Sequence, residues 1–252
     1  MSTINFFYKY RPSNSNTMRI LTDNELYFSS PLDFNDPFDC KITPSTKGTK
    51  AQWEVYLGNL LPKKFHSLPP SQIDAEVQRL LNTKRHLDPV FHEEIQQNAI
   101  DRHKNTGVLC LSGKNDNILM WSHYADNHRG LCIEFRHDKF AKKGLVGLEV
   151  KYCKSYPPIS IFDSDYLKKL VKCCLLTKAI HWKYEDEYRY VIPNGKGVQK
   201  FDPTWLTGII FGCLMPEKKK NKIRNILKGR HIKFYEAKMK KRKFGLDIVP
   251  AP

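Results

Sequence analysis

From Gly107 onward the apolar residues stop recurring at helical spacing and gather in short runs bounded by turn formers. VLCLS (108–112), LCIEF (131–135), LVGLEVKYC (145–153), EYRYVIP (187–193) and GIIFG (208–212) are short and rich in β-branched or aromatic residues, a pattern that predicts strands. Phe6–Tyr10 and Glu25–Ser29 read the same way, separated by a short helix or turn at 16–22. Residues 51–104 follow the helical pattern instead. There Ile73, Val77, Leu80 and Leu81 share one helical face, Ser71 can cap that helix, and Asp88-Pro89 is a helix-start signature. Further on, Asn117 can cap a short helix, ILMWSHYAD, and Asp163 or Ser164 opens a helix to about Ile180. A basic helix near 217–228 and a last strand, HIKFYEA (231–237), complete the pattern. The expected fold is α+β, with a mostly antiparallel core of roughly seven or eight strands. It forms one domain over 1–252, with a helical insertion at 41–104 and a basic helix–strand end at 217–252.

Charge constrains partners rather than fold. Lys and Arg number 42 against 26 Asp and Glu, a net +16. Residues 217–243 hold thirteen of the cations and two acids, so +11 of that excess sits in one segment. Lys218, Lys222, Lys240, Lys241, Arg242 and Lys243 are the candidate contacts to nucleic acid or another polyanion, set against a solvated basic face. No run of eighteen apolar residues occurs, so no membrane span is expected. The first residues lack the pattern of a signal peptide, which makes a cytoplasmic location the default expectation. The seven cysteines lie mostly in apolar runs, and none is paired at CxxC spacing. They are expected to be reduced core thiols, with no metal site.

Four segments could carry chemistry. Arg11 ends one strand and Ser29-Ser30 ends the next, which places either a surface arginine beside a turn or a guanidinium and two hydroxyls at one sheet edge. In FNDPFD (34–39), Asn35-Asp36-Pro37 signals a turn, either a rigid corner with Phe34 and Phe38 inward or a loop whose Asn35 or Asp36 touches a ligand. In MWSHYADNHRG (120–130), His123 and Asp126 share a helical face, and the segment reads as a helix ending in a ligand-lining loop with Trp121 and Tyr124 as aromatic walls. In WKYEDEYRYV (182–191), Glu185 and Glu187 point to one face of an extended strand, where mutual repulsion raises at least one pKa. Arg189 shares that face, so a salt-bridged strand edge of little energetic weight is the other reading.

Taken together, FYKYRP, LYFSSPLDFNDPFD, VLCLS followed by ILMWSHYADNHRGLCIEF, HWKYEDEYRYV and GIIFG resemble a widespread bacterial family known as domain of unknown function 2971. These motifs run in family order from about residue 6 to residue 213. That likeness implies no activity. A second resemblance is to the arginine-class ADP-ribosyltransferases, whose split antiparallel sheet clasps NAD. They carry an Arg on the first strand, a Ser on the second and a Glu-x-Glu entering a later one. Here Arg11, Ser29-Ser30 and Glu185-Asp186-Glu187 stand in that order. Ser30 precedes Pro31 in place of the family's Ser-Thr-Ser form, and the first two strands are closely spaced.

This second resemblance implies NAD as substrate and assigns roles. Glu187 would stabilise positive charge on the ribose, and Glu185 would orient or deprotonate the acceptor. Arg11 would hold the diphosphate, Ser29 the nicotinamide ribose, and Tyr10 or Phe28 would stack on the nicotinamide. It also suggests a toxin or phage-defence setting, with the basic end recruiting a nucleic-acid acceptor. Two other classes remain open from the sequence. One is a nucleic-acid-binding nuclease using His123, Asp126 or Glu187. The other is a non-catalytic module whose WSHYADNHRG and FNDPFD segments form a ligand pocket.

Overall fold

A computed structural model describes residues 5–251. Its centre is an eight-stranded sheet. In chain order the strands of this sheet and of two small ones are β1 Phe6–Arg11, β2 Glu25–Phe28, β3 Gly107–Ser112, β4 Leu131–Arg136, β5 Leu148–Glu149, β6 Lys151–Cys153, β7 Thr177–Ala179, β8 Glu187–Ile192, β9 Gly197–Lys200, β10 Leu206–Phe211, β11 Lys233–Met239 and β12 Leu246–Pro250. The large sheet runs β12-β11-β10-β4-β1-β3-β8-β5; β2 pairs with β9 and β6 with β7. Every neighbouring pair in the large sheet is antiparallel except β10–β11.

The apolar run LCIEF becomes a central strand because both its faces are covered. Leu131, Ile133 and Phe135 pack with Phe7, Ile209 and Phe211 on one face, while Cys132 packs with Tyr10, Trp121 and Ile210 on the other. The helices α1 Ser15–Thr22, α6 His137–Ala141 and α8 Glu217–Ile226 cover the first face through Ile20, Leu21, Phe140 and Ile223. A short helix, α5 Ile118–Tyr124, covers the second, started by Asn117, whose side chain accepts from the backbone N–H groups of Leu119 and Met120.

The insertion consists of α2 Lys50–Lys64, α3 Pro70–Asn82 and α4 Pro89–Asp101. Thr49 and Gln52 form a capping box at the start of α2, and Asp88 caps α4. Trp53, Leu57, Leu61, Ile73, Val77, Leu81 and Ile95 form a core of their own, which Ile161 joins. Ser71 does not cap α3. That helix opens at Pro70, with Pro69 in the cap position and no side-chain cap, because a proline ring fixes φ for the first turn without a bonded N–H.

Three further expectations are corrected. The helix expected up to Ile180 is α7 Tyr166–Leu176; Thr177–Ala179 instead extend as β7, pairing in parallel with β6. LVGLEVKYC breaks into β5 and β6 around Val150, whose N–H donates to the Glu187 carbonyl. HIKFYEA is not the last strand: β12 follows it and forms an edge, where Pro250 forfeits no ladder bond. No helix among the described residues is long and apolar enough to cross a membrane.

The position of β1 opens the molecule. Against β4 it pairs along its whole length, from Phe6–Arg136 to Arg11–Leu131. Against β3 it pairs at Tyr8–Ser112. Farther along that same edge of β3, Val108 exchanges both backbone bonds with Ser29. Between these two anchor points the edge of β3 faces a gap.

Candidate functional site

That gap is a cleft of about 330 Å³. Tyr10 and Arg11 from β1, Ser29, Asn35, Tyr124 from α5, and Glu185 and Glu187 all line it. Seven of the residues singled out in the sequence thus meet in one place, from five separate parts of the chain. A close backbone approach fixes the Arg11 end: a Cβ on Gly130 would lie 2.3 Å from the Arg11 carbonyl oxygen. The Arg11 guanidinium has no carboxylate partner among the described residues, and its Nε lies 3.4 Å from Thr17 Oγ1. The Tyr10 hydroxyl donates to the Lys114 carbonyl at 2.9 Å, and its ring stands edge-on to Trp121.

Glu185 and Glu187 reach the cleft by a different backbone path from the one expected. Glu185 is not on the strand; it ends a 3₁₀ turn, Ile180–Glu185. Asp186 then takes a left-handed conformation, φ 48°, and β8 starts at Glu187. The turn is held by Gly113, whose N–H donates to the Asp186 carbonyl; a Cβ there would lie 2.5 Å from Asp186 Oδ2. The Ser112 hydroxyl adds a 2.6 Å bond to the Glu185 carbonyl.

The two carboxylates meet over Lys178, whose Nζ lies 2.5 Å from Glu185 Oε2, 3.2 Å from Glu187 Oε2 and 3.6 Å from Asp39 Oδ2. Arg189, fully buried, donates from Nε to Glu187 at 2.8 Å and from Nη2 to Asp39 at 2.6 Å. Its Nη1 donates to the Leu175 carbonyl, and its guanidinium lies over the Phe34 ring. Arg189 does pair with Glu187, as the salt-bridge reading has it, but the pair is buried rather than at a strand edge of little weight. This is a buried cluster of two cations and three carboxylates, tying the FNDPFD turn to β8.

The cluster drives the two glutamates apart. Burial pushes the Glu185 carboxyl up and the Glu187 charge adds to it; Lys178 opposes, and the net shift is upward. Burial also pushes Glu187 up, but the Arg189 and Lys178 charges outweigh it and hold that carboxyl well below the usual range. The Tyr124 hydroxyl donates to Glu185 Oε1 at 2.6 Å. Lys9, two residues before Arg11 on β1, also lines the cleft and donates to the Cys110 carbonyl at 3.2 Å. Burial, with the Arg11 charge adding, lowers its ammonium to about 8.

Other candidates lie elsewhere. Phe28 is in the core, so it cannot stack on a ligand. Ser30 is buried and accepts from the Leu32 N–H, and Asp36 accepts from the Phe38 N–H; both stabilise the turn. Phe38 points outward, 66% exposed. Trp121 is buried with its indole N–H on the Asn115 carbonyl, so it braces the cleft wall without lining it. His123 is exposed, and Asp126, φ 50°, lies past the end of α5; the helical face they were expected to share does not exist. Among the described residues no three His, Cys, Asp or Glu side chains are placed to hold a metal ion. Among Asp39, Glu185 and Glu187 the Lys178 ammonium takes the central position a cation would need. Lys218 and Lys222 line a separate open groove on α8, and 240–243 form the turn between β11 and β12.

Lys9, Asp39 and Lys178 are among the cleft residues not named as candidates from the sequence. Lys9 could have been found, since it shares Arg11's strand face two positions earlier. Asp39 ends the FNDPFD segment already singled out, whereas Lys178 carried no such signal.

Neither curated proteins nor solved structures match the chain, so the likeness to ADP-ribosyltransferases rests on its own residues. Residues 120–190, which carry most of α5, all of β4, and Lys178, Glu185, Glu187 and Arg189, match the family described as "Protein of unknown function (DUF2971)".

Proposed function

We propose that the cleft binds NAD and transfers its ADP-ribose to an acceptor, as the ADP-ribosyltransferase resemblance implies. The observation that carries this reading is the convergence of Arg11, Ser29, Glu185 and Glu187 on one cavity, from positions spread over the chain. The volume suits the nicotinamide-ribose and diphosphate end of NAD, at the small end of the usual ~300–1,000 Å³ range for ligand sites.

The division between the glutamates suits the chemistry. When the bond between ribose C1′ and the nicotinamide nitrogen breaks, its electron pair leaves with nicotinamide and positive charge builds on the ribose. Glu187, kept ionised by Arg189 and Lys178, supplies a fixed negative charge beside it. Glu185, with its raised pKa, accepts the proton of the attacking acceptor. Arg11 and Lys9 offer two cations to the diphosphate.

Incubation with NAD labelled in the nicotinamide ring, against protein, RNA and DNA acceptors, tests the reading. Wild type should release nicotinamide, and Glu185→Gln should release it about a hundredfold more slowly while still folded. No release by folded wild type with any acceptor would end the proposal.

A further inference from the structure

The turn between β11 and β12 presents an aromatic ring with nothing packed on it. Phe244 is 102% exposed, and Met239 beside it is 71% exposed. Lys238, Lys240, Lys241, Arg242 and Lys243 surround them, all exposed. One acid lies near, Asp247, at 3.5 Å from Lys240 Nζ. The turn is built rather than frayed: the Lys240 N–H donates to the Gly245 carbonyl at 3.0 Å, and β11 and β12 pair up to Met239–Leu246.

Strand register places this tip relative to the cleft. Arg11 pairs with Leu131, Leu131 with Phe211, and Phe211 with Glu236, so these four are level across the sheet. Because β1, β10 and β11 run in one direction, Met239 lies three residues beyond that level, on the side where β1 ends at Arg11. At a rise of ~3.3 Å per residue the tip projects about 10 Å past the rim, about 14 Å sideways from β1 at a strand spacing of ~4.8 Å. The start of α8 is at the same end, held by Lys220 on Glu236 at 2.8 Å. Lys218, Asn221, Lys222 and Asn225 continue the polar, positive surface along it.

We propose that the β11–β12 tip binds a single strand of nucleic acid, with Phe244 stacking on a base and the surrounding Lys and Arg contacting phosphates. A basic track with an exposed aromatic is the combination that single strands use, since every base offers a π-face. An anionic membrane would demand a wider apolar face than one phenyl ring and one thioether. As the source of the acceptor for the cleft, the tip rests on the transferase reading; as a binding site, it does not.

Fluorescence anisotropy with short single-stranded RNA and DNA oligonucleotides, a duplex, and phosphatidylserine vesicles as competitor tests this without NAD. Wild type should bind single strands more tightly than duplex, with affinity falling as salt rises. Phe244→Ala should weaken binding about tenfold, Phe244→Trp should restore it, and Lys241→Glu/Arg242→Glu should weaken it further. Phe244 packs on nothing, so the Phe244 variants keep the fold. Equal binding by Phe244→Ala and wild type, duplex bound as tightly as single strand, or binding to vesicles alone would overturn the proposal. Because this assay contains no NAD and nicotinamide release is followed separately, each reading can fail alone.

Discussion

Arg189 and Asp39, 150 positions apart in the chain, are joined by a 2.6 Å charge-assisted hydrogen bond with the arginine fully buried. Removing Asp39 leaves Arg189 paired with Glu187 but takes away a buried acceptor of its Nη2, at a cost of about 1–3 kcal/mol. Asp39→Ala should lower unfolding stability by that amount, read from urea denaturation. Asn35, four residues upstream on the same turn, should lose protection from proteolysis. A loss below about 1 kcal/mol would mean that the turn does not depend on this bond.

The sheet and the helical insertion were legible because period-2 and period-3.6 patterns survive in the sequence wherever one face is buried. SQIDAEVQRLLNT is such a case, and LCIEF, covered on both faces, is legible instead as a short apolar run. The ends of elements were less legible. β7 arises because Thr177 pairs with Lys151 and Lys178 is drawn into the carboxylate cluster, both consequences of tertiary contact. Arg11, Ser29 and the two glutamates could be ranked as candidates from local motifs. Their burial could not, because the two cations that neutralise Glu187, Lys178 and Arg189, and the Asp39 carboxylate that shares them come from three separate segments.

Glu185 and Glu187 should respond to pH in opposite senses. Glu187 has a folded pKa below its ordinary value of 4.5, so its contribution to stability is present above that pH and lost as pH falls through the folded value. Glu185 has a raised folded pKa, so it favours folding below pH 4.5 and loses that contribution as pH rises through the folded value. Glu187→Gln should therefore destabilise the protein at neutral pH by about 3–5 kcal/mol and flatten the acid limb of its stability curve. Glu185→Gln should instead raise stability at neutral pH relative to acid. Identical pH–stability curves for the two variants would contradict the separation.

Trp53 probes whether the insertion is an independent packing unit. It is 1% exposed, stacks on His92 and meets Phe162 edge-on. Trp53→Ala should cost about 3–5 kcal/mol. Hydrogen exchange should accelerate in α2, α3 and α4 while β4 and β10 keep their protection. Uniform acceleration across the sheet would show that the two cores unfold as one.

Lys9 should impose a pH step on anion binding. Its ammonium, lowered to about 8, faces the cleft beside Arg11. Below that pH both side chains are cationic; above it Lys9 is neutral in the free protein and must take up a proton for a diphosphate to gain its charge. Binding is then linked to proton uptake, and affinity for a diphosphate such as ADP-ribose should fall by up to about tenfold per pH unit above pH 8. Lys9→Arg keeps the charge at every accessible pH and should remove the step, while Lys9→Met should bind weakly throughout. Calorimetric titration in buffers of different ionisation enthalpy reads the proton uptake directly. A wild-type affinity that stays flat from pH 7 to 10, with no proton taken up, would show that Lys9 does not meet the ligand.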